Sequence, residues 1–273
     1  MSKPLSPELT KRVVYSKYLM KRAATLQAEA HELALAEAVL MAHDSAEMLM
    51  RVVADELKMV LPYEFMAFWK AVEKETGKQP PRKAAMDRLN HERVGFKHKG
   101  IPPNPTTVGD LLRNAVAFCE EITREYLDVD YESVSLADLI QNPEARDKVK
   151  EAEMAKAAGD LITALTALAL AYDSLLAEAR TTHGRSLVGE IRLPTLTGSL
   201  RSQFSEPVRQ LAKLVSAVDS FILGVDPTKY RRFAELVPAR QRYADGHFDI
   251  FWFRDFNQLT EAEFDYCYAF IMD

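Results

Sequence analysis

Cysteine is almost absent from this chain. Cys119 and Cys267 are the only two, and no CxxC pair occurs. That excludes a disulfide scaffold and a thiolate zinc site, and it points to a reducing, cytoplasmic compartment. Glycine is scarce, at ten in 273 residues, and the apolar positions are rich in Ala and Leu; both disfavour sheet. Also missing are a Walker loop, G-x-G-x-x-G, HExxH and a G-x-S-x-G elbow, which removes the P-loop, dinucleotide, zincin and hydrolase readings. The N-terminus lacks the apolar stretch of a signal peptide. No run approaches the ~18 apolar residues of a membrane helix, so no membrane partner is expected.

Metal signals are also lacking. Carboxylate bundles place Glu three residues before His. Here the residues three before the six histidines are Ala28, Leu40, Arg88, Gly95, Arg180 and Ala244. No metal and no cofactor is expected. Acidic residues outnumber basic ones, 40 to 35, giving a net charge of -5, which argues against broad coating of nucleic acid but leaves room for a local basic site.

What is present is helix. Hydrophobic residues make up 48% of the chain, enough for a core. Leu5 to about Lys58 reads as helical throughout, with Ser6 as N-cap and Pro7 in the first turn. Within it, Leu33, Val39, Leu40, Ala46, Leu49, Met50, Val53 and Leu57 recur at spacings of three and four, and Pro62 stops the run. His31 and His43 read as ordinary helix residues. Shorter helices follow over Tyr63–Thr76, Arg82 to about Phe96, and Val108–Leu127 capped by Thr106-Thr107. Cys119 lies on the apolar stripe of the last and reads as core.

A short helix over Ser135–Ile140 leads to a long one from Pro143 to about Ala179. Its Leu/Ala-rich part, 161–176, is either buried on most sides or a subunit interface. Beyond Thr181 the spacing predicts a strand over Leu187–Leu193 and helices over 206–224 and from Asp226. A second strand is predicted over His247–Phe253, and a capping box, Thr260 with Glu263, opens the last helix. The fold class expected is mainly all-α: a bundle over 1–130, a long helix packing on it over 131–180, and a smaller helical region over 181–273 carrying a two-stranded ribbon.

One stretch concentrates chemistry. Between Arg82 and Lys99 lie six Arg or Lys against two acids, Asp87 and Glu92. At its end stand Asn90, Arg93, Lys97, His98 and Lys99. If the helix frays after Phe96, Arg93 and His98 face one cavity. An arginine that holds a phosphate beside a near-neutral histidine suffices to cleave RNA without metal. The imidazole takes the proton of a 2′-hydroxyl or gives one to the leaving oxygen, and the guanidinium stabilises charge on phosphorus. A second Arg-x4-His, Arg242 with His247, precedes the aromatic strand and lacks this frame. The loop with His183, Thr181, Thr182 and Ser186 reads as solvated.

The segment Asn90-x-x-Arg93-x4-His98, after a long helix pair and before another helix, resembles that of the HEPN domain family over roughly residues 5–130. The resemblance implies an up-and-down helical bundle and a metal-independent endoribonuclease of bacterial toxin–antitoxin or phage-defence systems. It implies a homodimer in which two motifs face one cleft, with RNA as substrate and an antitoxin or effector protein as partner. Arg93 and His98 would be the catalytic residues, and Asn90, Lys97 and Lys99 would bind substrate. The family position after the arginine is usually polar, whereas here it is Val94, which cannot hydrogen-bond a phosphate. Two further readings stand beside this one: a non-catalytic HEPN-like module for dimerisation or binding, and an unrelated helical regulator with a ligand pocket under residues 186–253.

Overall fold

The computed structural model describes residues 5–60, 62–182, 224–242, 248–252 and 258–272. The fold is mainly all-α with one small two-stranded ribbon. The chain divides into two compact units, Met1–Leu139 and Ile140–Asp273. Residues 131–139, expected with the long helix, belong to the first unit. Lys17, 7% exposed, holds them by donating to the carbonyls of Glu132 and Val134 at 2.5 and 2.8 Å.

The first unit is built on α2. Helix α1 (Pro7–Glu29) starts where Ser6 accepts from the Leu9 amide, as the sequence predicts. The single run expected to Lys58 does not form. Ala30 turns left-handed (φ 57°), and His31 becomes the N-cap of α2 (Glu32–Glu56), its Nδ1 accepting from the Ala34 amide at 3.2 Å. His31 is therefore a stop-and-start signal rather than a helix-interior residue. Helix α2 ends at Glu56, before Pro62 is reached. Val39, Ala46, Leu49, Met50 and Val53 are buried as expected, while Leu33 is exposed. Small residues on α2 (Ala38, Ala42, Ala46) let neighbours approach closely.

Helix α3 (Ala67–Thr76) supplies Phe68, Trp69 and Val72 to the same core. The Trp69 ring meets Phe118 at 5.7 Å, and its indole N–H donates to the Pro81 carbonyl at 2.9 Å. Helix α4 is Lys83–Lys99 and α5 is Pro105–Leu127, the latter capped by Asn104 rather than the threonines. Both pack on α2 and on each other.

In the second unit, Gly159 (φ 78°) breaks the long helix expected from Pro143 to Ala179. Helices α6 (Pro143–Ala157) and α7 (Leu161–Thr182) instead form a helical hairpin. Asp160 starts α7 by accepting from the Thr163 amide and hydroxyl, and these bonds hold its carboxyl below the usual range. Leu161–Ala179 is long and apolar enough to cross a membrane by length and composition, contrary to the sequence expectation; half of its most apolar window is buried within the protein.

Helix α8 (Pro227–Leu236) opens at the Asp226 cap, and α9 (Glu261–Met272) opens at the reciprocal bonds of Thr260 and Glu263. Tyr172 of α7, Phe233 of α8 and Phe270 of α9 pack as one aromatic cluster. The ribbon pairs β1 (Ala239–Arg242) antiparallel with β2 (Phe248–Phe251). The strand that pairs with β2 thus lies just before it in sequence. Residues 183–223, which hold the strand predicted over Leu187–Leu193, His183 and all but the last residue of the helix predicted over 206–224, lie outside the described residues, as does His247.

Candidate functional site

Helix α4 carries Asn90, Arg93, Lys97, His98 and Lys99, but not with the expected geometry. The helix does not fray after Phe96. It runs to Lys99, and Gly100 (φ 66°) then turns the chain. The Gly100 amide donates to the Phe96 carbonyl at 3.0 Å and the Ile101 amide to the Gly95 carbonyl at 3.2 Å, so the last turn is closed by hydrogen bonds.

On an unbroken helix, residues five apart stand ~140° apart around the axis. Arg93 and His98 therefore occupy different faces of α4. Arg93 shares its stripe with Met86, Leu89 and Asn90, the side turned toward the core; Met86 and Leu89 are fully buried. His98 falls instead on an outer stripe with Arg88, His91 and Gly95, seven residues after His91. His91 carries no assignment in the sequence reading; its seven-residue spacing from His98 was the available signal.

The inner stripe contains an unexpected contact. Asn90 Oδ1 lies 3.2 Å from Nε2 of His43 on α2. His43 is only 2% exposed, and its ring meets Phe65 at 4.2 Å. Asn90 is thus already engaged with the core. One turn on, Arg93 is half-buried, and its Nε is buried without a hydrogen-bond partner. A buried unpartnered donor costs ~1–3 kcal/mol. Beyond it Lys97, His98 and Lys99 are all exposed. None of these four basic residues forms an ion pair among the described residues. Lys97, His98 and Lys99 sit in the last turn, at the negative end of the α4 dipole, which favours cations.

The outer stripe borders a shallow cleft of about 380 Å³ between α4 and α5. Its charged lining is Asp87, Arg88, His91, Glu92 and Asp110. Three acids against one arginine and one histidine make it a poor seat for a polyanion. An anion is better received by the side chains of Lys97, His98 and Lys99, which reach past the helix end and have no acid beside them in the last turn.

The thiols offer no alternative chemistry. Both cysteines are buried, and burial pushes the Cys119 thiol up to about 12. Comparison of the chain with protein-family models, curated proteins and solved structures gave no match.

Proposed function

We propose that this chain is a HEPN-type RNA-binding protein that cleaves RNA without a metal, through Arg93 and His98. The observation that carries this reading is the basic end of α4, where Lys97, His98 and Lys99, with Arg93 just before them, have no carboxylate partner among the described residues of a net acidic protein. Lys97 and Lys99 bind backbone phosphates. Arg93, half-buried beside them, offers its guanidinium to the scissile phosphate. His98, exposed at the helix end, takes the 2′-hydroxyl proton or protonates the leaving 5′-oxygen. Attack of the 2′-oxygen on phosphorus breaks the P–O5′ bond and leaves a 2′,3′-cyclic phosphate and a 5′-hydroxyl. Because Arg93 and His98 lie on different faces of one α4, the reacting pair is assembled in a homodimer, with two helix ends at one cleft.

Binding is tested by fluorescence anisotropy with single-stranded RNA across a salt series. Each phosphate contact contributes about -0.7 to the slope of log K against log salt. The double variant K97A/K99A should flatten the slope by about 1.4 and weaken binding to every sequence alike. An unchanged slope would remove these lysines from the RNA contact.

The same separation of Arg93 and His98 favours a second reading, in which unit 1 is a non-catalytic HEPN-like module for dimerisation or effector binding. It is distinguished by RNA that is bound, or left unbound, but never cut.

A further inference from the structure

The polar surroundings of His43 are not explained by the RNA reading. Its Nε2 is occupied by Asn90 Oδ1. In that arrangement Nε2 carries the proton and Nδ1 of a neutral ring carries a lone pair. Nδ1 is buried and has no hydrogen-bond partner. What it faces is two carboxylates: Asp44 Oδ1 at 3.6 Å and Glu47 Oε2 at 3.9 Å. A lone pair aimed at two anions is repulsive unless a positive charge stands between them.

We propose that His43, Asp44 and Glu47 form a binding site for a divalent transition cation of the zinc class. One atom from each of the three lies within 4.8 Å of the others. With metal–ligand bonds of ~2.1 Å, neighbouring ligands of a tetrahedral ion stand ~3.4 Å apart. The two separations from His43 Nδ1, 3.6 and 3.9 Å, need to close by about 0.2 to 0.5 Å, and the two carboxylates, within 4.8 Å of each other, close on the ion by side-chain rotation at their exposed positions. The residues sit on one turn of α2, with His43 and Glu47 four apart. Asp44 is 52% exposed and Glu47 32% exposed in their side chains, so the site opens to solvent and a fourth position falls to water. Asn90 acts as a positioning residue, fixing the ring tautomer as a metal-bound histidine requires. One nitrogen and two carboxylates select a transition ion over magnesium, which takes oxygen ligands. Arg51 holds the other Glu47 oxygen at 2.6 Å and keeps that carboxylate in place. The site is independent of the RNA reading.

The full chain, stripped with chelator, is titrated with Co²⁺ and followed by its visible absorption, with Zn²⁺ and Mg²⁺ as competitors. One saturable site per chain is expected, displaced by Zn²⁺ and not by Mg²⁺. D44N and E47Q, both at solvent-accessible positions, should each lose the spectrum while keeping the wild-type circular dichroism. Asn90→Ala should weaken Co²⁺ by about 10–100-fold. Absence of a saturable Co²⁺ spectrum in the wild type, or wild-type affinity in either D44N or E47Q, overturns the site.

Discussion

Replacing Asn90 by leucine should destabilise unit 1 through His43 rather than through lost packing. Asn90 is half-buried, and its side-chain oxygen is hydrogen-bonded to the imidazole of His43, which is 2% exposed. Asn90→Leu deletes the acceptor and leaves a buried ring N–H with nothing to donate to. Such an orphan costs ~1–3 kcal/mol, and about 2 is the expected loss here. Removing both polar partners is different. His43 already lies against Phe65 at 4.2 Å, so His43→Phe has aromatic company, and the double variant should recover most of the loss. The coupling between the two sites should be about 2 kcal/mol, as found for directly contacting pairs. Urea unfolding in the presence of chelator, read by fluorescence of the fully buried Trp69, measures each step. If the two single costs simply add in the double variant, the hydrogen bond contributes nothing and Asn90 is free for another role.

Three further outcomes follow from packing and charge. The Cys119 thiol, raised by burial from 9.0 to about 12, stays protonated in the folded state while the unfolded state ionises. Stability should therefore fall as pH rises from about 9 toward 12, and Cys119→Ala should flatten that loss in a pH series of unfolding midpoints; the neighbouring Tyr131 is shifted upward as well and keeps part of the slope. Trp69→Ala should cost about 3–5 kcal/mol, since the indole is fully buried against Phe68 and Phe118 and donates to Pro81; a loss under 1 kcal/mol by urea unfolding would contradict that packing. In the second unit, Arg240 grips both oxygens of Asp173, tying the ribbon to α7. Arg240→Ala should cost about 2 kcal/mol, within the range for charge-assisted bonds, and raise amide exchange in β1 and β2; unchanged exchange would mean that the ribbon stands without the clamp.

The helical class was legible because apolar residues recur at spacings of three and four along α2 and α5, and that periodicity is set by burial on one side. Caps were legible where a side chain does the work: Ser6 on α1, and Thr260 with Glu263 on α9. Breaks made by the backbone alone were not. Ala30 turns left-handed without glycine's signature, so α1 and α2 read as one helix, and Gly159 was passed over inside an alanine-rich run. The ribbon's second strand showed its alternation, but Ala239–Arg242 is short and polar and carries no such signal. In the site, the residue types were visible and their faces were not, because the phase between Arg93 and His98 depends on whether the last turn of α4 closes. The acids around His43 escaped a search for Glu three residues before histidine, since they stand one and four residues after it.

Cleavage of a mixed RNA pool in EDTA, by the wild type beside R93A and H98A, bears most directly on the proposed function. The expected result is products ending in 2′,3′-cyclic phosphate from the wild type, with at least about a hundredfold loss in each variant, the scale of general acid–base catalysis. Cleavage that survives in both variants, or an intact pool with RNA still bound, would contradict the catalytic role of Arg93 and His98 and leave unit 1 as a binding module.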